Sequence, residues 1–188
     1  MPNLNPRHQL VLGIVLAALM AATRSHHLAA LHSLPGASWA VFLLAGMYLR
    51  PAWAFPALLA EAACLDYVAI SWGGVSSFCV SPAYAFLLPA YGALWLAGRW
   101  LAPRLSLSWT ALGSLGLAVF LGGAACELLS SGGFYFFSGR FAEPTLAEFA
   151  PRLVKYFPGD LGALALYAAI AALLHAALAT TASARHVR

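Results

Sequence analysis

Asp66, Cys79 and Tyr84 fall within one short stretch of a sequence that carries few polar side chains. Asp66 stands near the end of an apolar segment, where an ionised carboxylate costs several kcal/mol unless it is paired or hydrogen-bonded, and such residues usually line a cavity. It is read as a site residue, with a structural pair to an arginine such as Arg152 as the alternative. Cys79 occupies the run Gly73-Gly74-Val75-Ser76-Ser77-Phe78-Cys79-Val80-Ser81-Pro82, which has little side-chain bulk and no charge. A thiolate there is a soft donor suited to a soft or borderline transition metal. The competing reading of a lone cysteine is a small apolar packing residue, and that reading is kept for Cys64 and Cys126. Tyr84, just after Pro82, can present its hydroxyl to the same place or sit in an interfacial aromatic belt.

Further polar candidates come from other segments. His26 and His27 are adjacent, and neighbours on a helix point about 100° apart, so His27 is read as a single hydrogen-bonding group rather than half of a metal pair. Arg152 and Lys155 can meet a phosphate or face lipid headgroups. Glu127 joins the set near the end of another apolar segment. Glu61 lies about 140° around the same helix from Asp66 and is not expected to share its site. The cysteines form a widely spaced, odd-numbered set without CxxC, which argues against a disulfide framework, a zinc ribbon and a dithiol oxidoreductase.

The elements that position these residues follow from composition. Of 188 residues, 62% are hydrophobic and 9% charged, far from the roughly 25% charged residues of a soluble domain. Too few charges remain to solvate a surface, and the net charge of +4 forms no basic stripe, so a water-soluble enzyme and a nucleic-acid binder are both excluded. The chain reads as an all-α integral membrane protein, a single transmembrane domain over 1–188. At about 20 residues per span, the best division is a bundle of about six transmembrane helices: Leu10–Ala22, Trp39–Leu49, Ala52–Trp72, Pro82–Trp100, Ser108–Leu129 and Asp160–Ala179.

An even number of spans puts both termini on one side, with Arg7, Arg50, Arg99, Arg104, Arg185 and Arg188, against Arg24, Arg140, Arg152 and Lys155 opposite. The positive-inside rule then makes that side, and both termini, cytoplasmic. On this topology Asp66, Cys79, Tyr84, Glu127 and His27 collect in the outer half. The segment 130–159 is expected to be a long outward connection with a lid-like character, because it holds Gly132-Gly133 and then the aromatic run Phe134-Tyr135-Phe136-Phe137. The competing reading of that segment is an interfacial helix with an aromatic belt. In the first span Gly13, Ala17 and Ala21 recur every fourth residue, a stripe of small side chains that admits a close helix neighbour.

A chain of this size with about six spans, a small-residue stripe on its first helix and the sequence SSFCVSPAY within Asp66 to Tyr84 resembles the small BtuM-type vitamin B12 transporters of Gram-negative bacteria. These are similar to the substrate-binding S-components of energy-coupling factor (ECF) transporters. The resemblance implies cobalamin as substrate, a location in the bacterial inner membrane, and Cys79 as axial ligand to the corrinoid cobalt. It also implies an ECF-type coupling module docked on Gly13, Ala17 and Ala21, although most S-components bind cobalt-free vitamins.

The chemistry fits on its own terms. Cobalamin has a flat, partly apolar corrin, a rim of amides, a phosphate and a base, and its site needs aromatic walls and hydrogen-bonding groups such as His27, Asp66, Tyr84 and Arg152. Thiolate ligation by Cys79 favours a base-off corrinoid or loss of a bound cyanide, a decyanation that would be processing of cargo within a transporter. Two other classes remain open from sequence. One is a membrane enzyme or redox protein using Cys79 with His27 as nucleophile and base; the other is a structural subunit whose polar groups only pair helices among the lipids.

Overall fold

A computed structural model describes residues 5–24 and 34–186. His26 and His27 lie outside the described residues. The described chain forms α1 (Pro6–Arg24), α2 (Ser38–Tyr48), α3 (Ala54–Ser71), α4 (Leu87–Leu101), α5 (Trp109–Phe137) and α6 (Leu146–His186). Short 3-10 turns occupy Ser77–Cys79, Pro82–Phe86 and Ala102–Arg104, and no strand occurs among the described residues. Among the described residues, four helices are long and apolar enough to cross a membrane: α1, α3, α5 and the Leu146–Thr180 part of α6.

α2 is the axis of the bundle. Every residue from Ala40 to Met47 is buried, so the helix is apolar all round, as a helix enclosed by others must be. α1, α3, α4 and α6 pack around it. The outer faces of α1, α5 and α6 carry exposed Leu10, Ile14, Leu121 and Leu173, a surface matched to hydrocarbon rather than to water. α2 and α4 approach until their backbones touch, because glycine stands at both contacts. A Cβ on Gly98 would collide with the Leu43 carbonyl, and one on Gly46 with the Trp95 carbonyl.

The segment 130–159 is not a long connection. α5 continues unbroken to Phe137 and α6 begins at Leu146, which leaves 138–145 between them. Ser130 caps no end, since its hydroxyl donates to the Cys126 carbonyl at 2.7 Å within the helix. Gly133 is helical because its bare Cα gives Phe86 a place to lie, and any Cβ would strike that ring. Pro151 and Pro158 sit inside α6, where neighbouring helices and local adjustment accommodate the missing donors. Gly139, with φ +70°, turns the chain in the left-handed conformation that ends many helices.

The basic residues sort to opposite ends of the bundle. Arg24 and Arg152 line one end, where Arg140 also stacks over Phe78. At the other end Arg99 Nη2 donates to the Arg50 carbonyl at 2.9 Å. The close crossing of α2 and α4 gives a direct stability test. Gly98→Ala is expected to cost about 3 kcal/mol through overpacking against backbone, seen as a lower melting temperature in detergent. Gly116→Ala, with open space around the new methyl, should leave melting unchanged or raise it.

Candidate functional site

Arg24 is the last residue of α1, a place where a cation is favoured by the helix dipole. Its guanidinium reaches across to α3 and grips Asp66 with two hydrogen bonds, Nε to Oδ1 and Nη2 to Oδ2, each 2.7 Å. The remaining nitrogen, Nη1, donates to Ser38 Oγ at 3.0 Å and to the Tyr91 hydroxyl at 2.8 Å. Asp66 Oδ2 also accepts from the Tyr84 hydroxyl at 2.8 Å. The two charged side chains are 12% and 29% exposed, so the pair is largely withdrawn from solvent and its lone pairs and protons are taken up locally. Asp66 thus pairs with Arg24 and not with Arg152. The last turn of α1 points Arg24 inward, a role that charge counting, which only placed it on the side opposite the termini, did not give it.

This polar cluster forms part of the wall of a cavity of about 550 Å³ at one end of the bundle. Arg24, Asp66, Tyr84, Glu127 and Arg152 all line it, although they come from five separate segments. The convergence expected from the helix directions therefore holds for Asp66, Tyr84, Glu127 and Arg152, whereas Lys155 is exposed and does not line the cavity, its Nζ lying over the Tyr156 ring. Arg152 lies over aromatic faces, its Cζ 5.3 Å from the Tyr135 centroid and 4.7 Å from that of Phe141. The backbone of Cys79 closes the 3-10 turn Ser77–Cys79, and the preceding residue, Phe78, lines the cavity.

The aromatic run at the end of α5 supplies the remaining wall. Tyr135 packs on Phe141 and Phe149, with centroids 4.6 and 5.5 Å away, and its hydroxyl donates to Glu148 Oε2 at 3.1 Å. Phe78 meets Phe134 edge-on at 5.7 Å. These contacts hold the α5–α6 corner as a packed aromatic cluster. Glu127 is the residue of this site that sequence reading underrated. It is only 2% exposed, lines the cavity, and has an oxygen, Oε1, with no hydrogen-bond partner among the described residues.

No model of a known protein family matches the chain, and no curated protein matches it. Function therefore rests on the site.

Two other hollows differ in chemistry. A groove of about 780 Å³ toward the opposite end is lined mostly by apolar side chains of α5 and α6, with polar groups in the contact of Tyr48 Oη with His175 Nδ1 at 3.2 Å and in the hydroxyls of Ser106 and Ser108, 2.8 Å apart. A third, between α1 and α3, is lined by Gly13, Ala17 and Glu61. Glu61 is accordingly away from the cavity of Asp66, as its position around the helix requires, and Ala21 is half-buried farther along α1. Of these three hollows among the described residues, the one at Asp66 combines opposite charges, hydroxyls and several aromatic walls, while the third has Arg50, Glu61 and Trp53 but no hydroxyl.

The Arg24 cluster predicts a graded loss of stability. Arg24→Ala strands Asp66 and should cost about 3 kcal/mol, the lower part of the range for breaking a buried pair. Arg24→Lys keeps the charge but loses the fork, and should fall between wild type and alanine. Tyr84→Phe removes one hydrogen bond to a charged acceptor and should cost about 1.5 kcal/mol. Denaturation in detergent, followed by tryptophan fluorescence, ranks the variants.

Proposed function

We propose that this protein binds cobalamin in the cavity at the Asp66 end and serves its uptake across a bacterial inner membrane. The observation that carries the reading is the meeting, at one end of the bundle, of the cysteine-bearing turn with aromatic walls and the charged groups Asp66, Glu127 and Arg152. The cavity, at about 550 Å³, holds a drug-sized group, so cobalamin would seat part of its surface there and extend beyond the mouth. Its walls match the parts of the ligand: rings for the corrin faces, hydrogen-bonding side chains for the amide rim, and the Arg152 guanidinium for the phosphate.

In this reading the bundle makes six crossings, with both termini in the cytoplasm and the cavity facing outward. α2 and α4 are the short crossings, α4 being extended by the 3-10 turn at Pro82–Phe86. His27 contributes a hydrogen bond, and the packed α5–α6 corner acts as the lid-like wall of the site. Cys79 supplies the axial thiolate. With cyanocobalamin as cargo, a Co–S bond forms as the Co–CN bond breaks, cyanide leaves with its electron pair, and the thiol proton goes to the cyanide. Cobalt stays at one oxidation level in this ligand exchange. An ECF-type coupling module would dock on the stripe of Gly13, Ala17 and Ala21, of which the first two line the groove between α1 and α3.

The visible bands of a corrinoid report its axial ligands, which makes the thiol directly testable. Wild-type protein loaded with cobalamin should give a spectrum unlike that of free cyanocobalamin. Cys79→Ser replaces a soft sulfur donor by a poor, hard one, so its bound cobalamin should lose the altered bands and bind more weakly. Identical spectra for wild type and variant would remove the thiol from the cobalt.

A further inference from the structure

Among the described residues that line the cavity, Glu127 is the one with a buried side-chain oxygen left without a partner. α5 carries it inward, its side chain is 2% exposed, and Oε1 has no hydrogen-bond partner among the described residues. A buried acceptor left without a donor costs free energy, about 1–3 kcal/mol or more when the group is charged. Asp66, in the same cavity, meets that need with Arg24 and Tyr84. Arg152 is engaged with the rings of Tyr135 and Phe141. The wall around Glu127 includes Ser130 and Ser131; Ser130 gives its proton to the Cys126 carbonyl, and Ser131 already hydrogen-bonds the Glu127 carboxyl, which leaves Oε1 as the open atom.

The partner for Oε1 is left for the ligand to bring, and a hydrogen-bond donor supplies it. A bare metal ion is a poor candidate, because among the described residues no three His, Cys, Asp or Glu side chains gather as a metal-binding group. A cationic ligand is no better served, because the guanidinium of Arg152 lines the same cavity and repels a cation, while Asp66 is matched by Arg24. A neutral N–H donor fits.

We propose that Glu127 is a specificity-determining residue that accepts a hydrogen bond from a primary amide of the ligand. This rests on the cobalamin reading, in which the donor is one of the peripheral carboxamides of the corrin. A site built around a buried acceptor rejects an analogue lacking the donor more strongly than a hydrophobic wall rejects a change of shape. A carboxylate in place of that amide would both lack the N–H and repel Glu127.

The test uses purified full-length protein and the set of cobalamin monocarboxylic acids, each with one amide hydrolysed, beside their neutral methyl esters. Wild type should bind one acid at least about tenfold more weakly than cobalamin, as expected for a lost hydrogen bond to a charged group, and the matching ester should also bind weakly. Glu127→Gln should bind cobalamin less tightly and reduce the cobalamin-to-acid affinity ratio at that one position by about tenfold. The proposal is overturned if wild type treats all acids alike, or if the ratio is unchanged in a folded Glu127→Gln protein. The wild-type series decides the matter even where the variant fails to fold, because equal affinities for amide, ester and acid at every position contradict it. Failure of wild type to bind any corrinoid is a separate result, which removes the cobalamin reading itself.

Discussion

A guanidinium held among apolar helices must have its donors satisfied, and the architecture of this protein follows from how Arg24 meets that requirement. Its partners come from α2, α3 and α4: Ser38, Asp66 and Tyr91. Tyr84, in the turn before α4, completes the set through Asp66. Removing either charge leaves the other buried, so the pair fixes the relative positions of these elements at one end of the bundle. Tyr91 carries the constraint inward, since its ring stacks on Phe42 of the axial helix with centroids 4.3 Å apart. The cavity wall is therefore set by hydrogen-bond geometry and not only by apolar packing, which alone would permit sliding.

The two ends of the molecule consequently differ. One end has charges in matched surroundings, hydroxyls and a packed aromatic corner around a cavity. The other has a mostly apolar groove with polar contacts between Tyr48 and His175 and between Ser106 and Ser108. Between them α2 and α4 are locked by the backbone contacts at Gly46 and Gly98. A ligand with both apolar faces and a polar rim is matched by the first end and not by the second. The aromatic corner at Tyr135 also explains how a connection as short as 138–145 can close the site, because the rings on α5 and α6 form its wall.

The helical, membrane-type character was legible because composition and segment length allow little else, and the gathering of Asp66, Tyr84 and Arg152 was legible because span direction fixes depth. Partner choice was not. Whether Asp66 meets Arg152 or Arg24 depends on the rotation of α1 about its axis, which a helix striped with alanine on several faces leaves undetermined. The extent of α5 was misread because Ser130-Ser131-Gly132-Gly133 has the composition of a loop. Those glycines and serines instead serve close packing against Phe86 and internal hydrogen bonding. The last span was read as starting at Asp160, with an interfacial helix as the competing reading before it, and that the two run on as one helix through Pro151 and Pro158 is not a pattern that proline suggests. Glu127 was visible as a carboxylate near a span end, but its unpartnered oxygen is a property of three-dimensional packing.

The central claim is that the Arg24–Asp66 end of the bundle is a preformed binding site for cobalamin. Calorimetric titration of folded, monodisperse protein in detergent with cobalamin addresses it most directly. The account predicts saturable binding at one site per chain, weakened by Arg24→Lys because the fork that sets the cavity wall is lost. Absence of binding by the wild-type protein under those conditions would contradict it.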